Sequence, residues 1–113
     1  MDTLSYRSLA FVAALGLFLC GLAAAADTPT RATYTVTIDG VSFHPKVLKV
    51  KVGDSVAWVN KDPFPHTVTS RAGDFDSGEI QPGKSWTYTA ATKGTFPYIC
   101  TLHPTMRATL RVQ

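Results

Sequence analysis

Large apolar residues alternate with polar ones in several short stretches, each bounded by turn-forming residues. Thr33–Ile38 interleaves threonines with Tyr34, Val36 and Ile38, the period-two pattern of a half-buried strand. Asp39-Gly40 supplies a turn. From Leu48 onward, Leu48, Val50 and Val52 fall on one face and Lys49 and Lys51 on the other. Gly53-Asp54 leads into Ser55–Val59, and Thr67–Ser70 is a further short strand. After Pro82-Gly83, Lys84–Ala90 places Trp86 and Tyr88 on one face, and after Gly94, Thr95–Cys100 aligns Phe96, Tyr98 and Cys100. Arg107–Val112 makes a last strand, while Arg71–Gln81, with Gly73, Gly78 and three acids, reads as a loop. No apolar helical repeat runs long enough to compete. Seven or so short strands separated by turns predict an all-β sandwich or barrel. Its expected core is Tyr34, Val36, Ile38, Val50, Val52, Val56, Trp58, Val68, Trp86, Tyr88, Phe96, Tyr98 and Leu110.

The first 26 residues follow a different rule. Arg7 precedes the apolar run Leu9–Leu22, which ends in Ala23-Ala24-Ala25-Ala26 before Asp27. A basic start, an apolar middle and a small-residue exit read as a secretory signal peptide. The competing reading is an uncleaved anchor, but the run falls short of the roughly 20 residues that span a bilayer. Lipid attachment at Cys20 is disfavoured by Leu19, where a small residue is needed. The expected division is therefore residues 1–26 as signal peptide and 27–113 as one domain, exported to the periplasm.

Composition agrees with one small domain. The chain has 113 residues, 45% hydrophobic and 17% charged, too short for a multidomain enzyme and too apolar for disorder. Its formal charge of +3 is modest and scattered, which argues against nucleic acid. Cleavage changes the sulfur inventory more than the charge, because Asp2 and Arg7 leave together. Cys20 and Met1 go, leaving Cys100 and Met106 alone. A single thiol in an exported domain forms no internal disulfide; it is buried and inert, paired with another molecule, or bound to something.

Cys100-Thr101-Leu102-His103-Pro104-Thr105-Met106 spaces a thiol, an imidazole and a thioether three residues apart, between two predicted strands. A tight loop there aims all three side chains at one point. His66 lies upstream in Pro63-Phe64-Pro65-His66, where two prolines restrict the backbone. One Cys and two His in a plane, with a long weak Met contact, describe a blue-copper electron-transfer site. Soft sulfur donors suit the reduced ion, and imidazoles suit both oxidation states. Ligands anchored by strands and prolines change little in geometry when one electron arrives, which favours fast transfer. The bland alternative for each residue is a buried thiol, a surface histidine or a core methionine. His44 has no partner at ligand spacing and reads as structural or exposed. Asp54, Asp62, Asp74, Asp76 and Glu79 read as turn residues rather than acid–base pairs.

These motifs, with Phe75-Asp76-Ser77-Gly78, Pro82-Gly83 and Gly94 through Cys100, make the chain resemble the cupredoxin (blue copper) family, close to its amicyanin and plastocyanin group. The resemblance covers essentially all of residues 27–113. It implies a Greek-key β-sandwich of about seven or eight strands, and one copper ion held by His66, Cys100, His103 and Met106. Two positions depart from the pattern. Thr67 stands where many relatives have Asn, leaving a backbone N–H for the Cys100 sulfur and a shorter hydroxyl reach to the neighbouring loop. Leu102 stands where amicyanins typically have Pro, and so keeps an N–H.

The function implied is a small exported one-electron carrier cycling Cu(I) and Cu(II), monomeric, without stable membrane association once the signal is cleaved. It would meet redox partners transiently near His103, across an apolar rim of Phe64, Pro65, Leu102 and Pro104. The competing readings are copper storage or delivery with the same ligands, and a metal-free binding module with Cys100 inert. Enzymatic relatives are disfavoured: Ile99 and Thr101, not histidines, flank Cys100, and the domain has too few histidines for a second copper centre.

Overall fold

The computed structural model describes residues 30–113 and the single position Gly16. The expected signal peptide and its cleavage site lie outside the described residues. Eight strands form: β1 Thr33–Ile38, β2 Phe43–His44, β3 Val47–Val50, β4 Ser55–Asn60, β5 Thr69–Ser70, β6 Ser85–Thr89, β7 Gly94–Ile99 and β8 Arg107–Val112. They make two four-stranded sheets in the orders β2-β1-β4-β6 and β3-β8-β7-β5. β1 pairs parallel with β4 and β3 parallel with β8, while the other neighbours are antiparallel. The expected β-sandwich is what forms. No helix of the described residues is long and apolar enough to cross a membrane.

Alternation along the strands sorts residues between the core and solvent. In β4, Val56, Trp58 and Asn60 are buried while Ser55, Ala57 and Val59 are half-buried. The two sheets meet through aromatic side chains. Trp58 of β4 donates its Nε1–H to the Tyr98 hydroxyl of β7 at 3.2 Å, with rings edge-on and centroids 5.6 Å apart. Phe43 packs edge-on against Tyr98 at 4.8 Å. Such pairs add roughly 0.5–1.5 kcal/mol beyond area burial. No buried side-chain polar atom among the described residues lacks a partner.

Most expected core residues are buried or half-buried, with one correction. Val52 is 42% exposed. β3 ends at Val50, and residues 51–54 form a turn in which Asp54 N–H donates to Lys51 C=O. The alternation therefore stops before it reaches Val52. Asp54 itself is buried, its carboxylate accepting the Ala32 and Lys51 N–H groups at 2.9 and 2.8 Å. Those bonds, Ala32's foremost, hold its pKa below the usual value against the opposing effect of burial.

Candidate metal centre

His66 sits in the loop between β4 and β5. Asn60 organises that loop from the end of β4: its side-chain amide donates to Phe64 C=O at 2.8 Å and Ile80 C=O at 2.9 Å, and its oxygen accepts the Asp62 N–H. Pro63 and Pro65 restrict the backbone between these ties. His66 then exchanges both backbone hydrogen bonds with Ile80, at 3.1 and 2.7 Å. The segment read as a plain loop thus braces the histidine, and its Phe75 and Ile80 are buried.

Cys100 follows the last residue of β7, and Arg107 opens β8. Two consecutive turns curl the loop between them: His103 N–H donates to Cys100 C=O at 3.2 Å, and Met106 N–H to His103 C=O at 2.8 Å. Cys100 N–H closes the loop onto Met106 C=O at 3.2 Å. Cys100 and Met106 are buried, whereas His103 is half-buried.

The two segments converge. Cys100 Sγ lies 3.6 Å from His66 Nδ1 and 3.8 Å from His103 Nδ1. One ligand atom from each of the three residues falls within 4.8 Å of the others. Bonds of about 2.0–2.1 Å to imidazole and about 2.3 Å to thiolate, as a divalent ion such as zinc makes, open to about 120° when nitrogen and sulfur are roughly 3.8 Å apart. The observed spacings suit one ion between the three donors. Met106, whose backbone closes the loop, is buried, and His44 stands apart and exposed, its ring bonded to Asp39 C=O.

Thr67 fulfils both expectations set for it. Its N–H donates to Cys100 Sγ at 3.3 Å. Its hydroxyl oxygen accepts the Thr101 N–H at 2.8 Å and the Thr69 hydroxyl at 3.0 Å, and lies 3.1 Å from Thr101 Oγ1. This one oxygen ties the two ligand loops together. Among the described residues, no bond to the sulfur comes from the Leu102 N–H.

Asp62, read as a turn residue, does lie in a bend of the β4–β5 loop, and it also meets His66. It is 5% exposed, and its Oδ2 lies 2.7 Å from His66 Nε2. Its carboxylate also accepts the Gly40 and Val41 N–H groups at 2.7 and 2.9 Å. Burial alone would raise its pKa; the bonds from Val41, Gly40 and His66 outweigh it and hold the carboxyl below the usual range. Three prior residues separate Asp62 from His66 across two prolines, a spacing that marks no pattern in the sequence.

Apolar side chains are exposed beside His103. Phe64 and Leu102 are 45% and 44% exposed, Pro104 is exposed and Pro65 half-buried. The Phe64 ring lies 6.3 Å from that of His103. Two surface grooves, of about 320 and 360 Å³, lie elsewhere, and neither is lined by His66, Cys100, His103 or Met106.

Comparison with known proteins agrees with this geometry. The sequence profile of the cupredoxin-like domain matches residues 9–112. Amicyanin-alpha of Methylorubrum extorquens is 30% identical over 119 residues, covering 95% of this chain and 99% of the relative. Plastocyanin of Scenedesmus fuscus is 31% identical over 84 residues, covering 63% of this chain and 86% of the relative. An amicyanin variant solved in its Cu(I) form is similar with a TM-score of 0.68 at 30% identity, over 72% of this chain and 82% of that one. A copper-containing nitrite reductase from Thermus scotoductus gives the same TM-score at 31% identity, but the match spans only 22% of its chain.

Proposed function

The chain belongs to the cupredoxin-like family, and on that premise we propose that it is an exported type 1 copper protein that carries single electrons between redox partners. The convergence of His66 Nδ1, Cys100 Sγ and His103 Nδ1 on one point carries this reading. Bound copper supplies the one-electron couple. His66, Cys100 and His103 hold it, and the Met106 thioether adds a weak fourth contact suited to the reduced ion. The Thr67 N–H to the sulfur tempers the electron density of the thiolate. The closed Cys100–Met106 loop and the Thr67 hydroxyl hold the donors in place, so little rearrangement accompanies transfer.

His103 is the ligand nearest solvent, and electrons pass at its edge. The rim of Phe64, Leu102 and Pro104 offers a small apolar contact, suited to brief encounters with a partner. The mature chain, residues 27–113, acts in the periplasm as a monomer and catalyses no reaction of its own. The likeness to the nitrite reductase is confined to a domain-sized part of that enzyme and supplies no substrate site here.

Loading the purified domain with Cu(II) tests the reading. Intense visible absorption from thiolate-to-copper charge transfer, bleached and restored reversibly by one electron without loss of metal, is expected. A colourless copper complex overturns it, and release of the ion to an acceptor during cycling would favour copper delivery.

A further inference from the structure

The Asp62 carboxylate is surrounded by donors: Gly40 N–H, Val41 N–H and the Nε2 edge of His66. An ionised carboxylate only accepts hydrogen bonds, so at 2.7 Å the His66 Nε2 is the donor. In a neutral ring, Nδ1 then carries the lone pair, and it is Nδ1 that faces Cys100 Sγ. One acid thus determines which nitrogen of the ligand is free for metal.

The same carboxylate is itself held in place. Asp39–Ser42 form a tight turn, with Asp39 N–H donating to Ser42 C=O at 3.1 Å. Gly40 and Val41 have φ of 63° and 57°. A β-branched residue in that left-handed region is unusual and costs on the order of 1–2 kcal/mol. The conformation points two successive N–H groups at one anion, a small backbone nest. The turn therefore fixes Asp62, and Asp62 fixes His66.

We infer that Asp62 is a positioning residue for the metal centre: it locks His66 in the Nε2–H tautomer and, as a fixed negative charge behind that ligand, favours the oxidised over the reduced ion. The inference rests on the copper reading above for its redox part alone. A carboxylate on the outer nitrogen makes the inner one a stronger donor, and a nearby anion stabilises whichever state is more positive. The β1–β2 turn, remote from the ligands in sequence, becomes part of the apparatus that sets the potential.

Two measurements test this. Nitrogen-15 NMR of the metal-free wild-type protein should show His66 with Nε2 protonated and Nδ1 bare; an Nδ1-protonated ring overturns the inference. In the copper-loaded protein, Asp62→Asn removes the charge at nearly constant shape. At fixed ambient potential its reduced-to-oxidised ratio should rise about tenfold, equivalent to about 59 mV for one electron. Asp54→Asn, which loses a buried carboxylate that touches no ligand, should leave the ratio unchanged. A D62N protein that keeps its visible absorption with an unchanged ratio overturns the inference, as does an equal shift in D54N. If D62N does not fold, the wild-type tautomer decides. A wild-type chain that binds no copper sinks the copper reading, and the tautomer still tests the positioning role.

Discussion

Replacing Thr67 with valine keeps the shape of the side chain and deletes one oxygen. Three hydrogen bonds meet at that oxygen, and they are not equal. Thr101 is exposed, so its hydroxyl can turn to water. The Thr69 hydroxyl already lies 3.1 Å from Asp76 Oδ1 and can donate there alone. The Thr101 N–H makes no second hydrogen bond among the described residues: it points at Thr67, which is buried. Leaving a partly buried donor unpaired costs about 1–3 kcal/mol. Taking about 2 kcal/mol, a domain of this size loses roughly 8–16 °C in Tm. The assay is thermal unfolding of the metal-free protein followed by circular dichroism, with Thr67→Ser as the companion variant. Serine keeps the oxygen and should recover most of the loss. A valine variant as stable as wild type, or a serine variant as damaged as valine, would refute the idea that this oxygen joins the two ligand loops. The Thr67 N–H to Cys100 survives in both variants, so the colour of the copper form should be retained.

Three further outcomes are expected. Asp54 has a lowered pKa, so its contribution to stability is complete above the ordinary value of 3.8 and is lost as pH falls through its folded value; urea titrations should show a decline in acid that is shallower in D54N, which is less stable at neutral pH. Burial pushes the Tyr98 phenol up to about 12, against the opposing bond from Trp58. Because the unfolded chain ionises nearer 10, stability should fall as pH rises from 10 toward 12, with tyrosinate absorbance from Tyr98 appearing last. Leu102→Glu places a charge on the apolar rim without touching a ligand atom; electron self-exchange measured by NMR line broadening should slow by about tenfold, a change of about 1.4 kcal/mol, with the visible spectrum unaltered.

The strands with clean alternation were legible in the amino-acid order, because period two and burial on one face amount to the same constraint. β1 and β8 form over the stretches that alternate. The two-residue β2 was not, since Phe43-His44 is too short to alternate; it exists through pairing with Thr37 and Ile38. Val52 shows the opposite failure, a pattern that ran past the end of its strand. Cys100, His103 and Met106 were visible because they share one loop with fixed spacing. His66 was visible only through its company, as nothing local separates a ligand from a core histidine. Asp62 was invisible as a partner of His66 because its carboxylate is held from a second chain segment, and only the folded turn at Gly40-Val41 shows why an acid is buried. Phe75 and Ile80 were hidden for a related reason: they lie in irregular backbone, braced by the isolated bridges Thr69–Asp76 and His66–Ile80.

Electron paramagnetic resonance of the Cu(II)-loaded domain tests the convergence of His66, Cys100 and His103 on one ion most directly. A thiolate bonded to copper in this arrangement delocalises the unpaired electron onto sulfur, and a narrow parallel hyperfine splitting is the predicted result, lost on Cys100→Ser. A wide splitting typical of nitrogen and oxygen ligation, unchanged by that substitution, would contradict it.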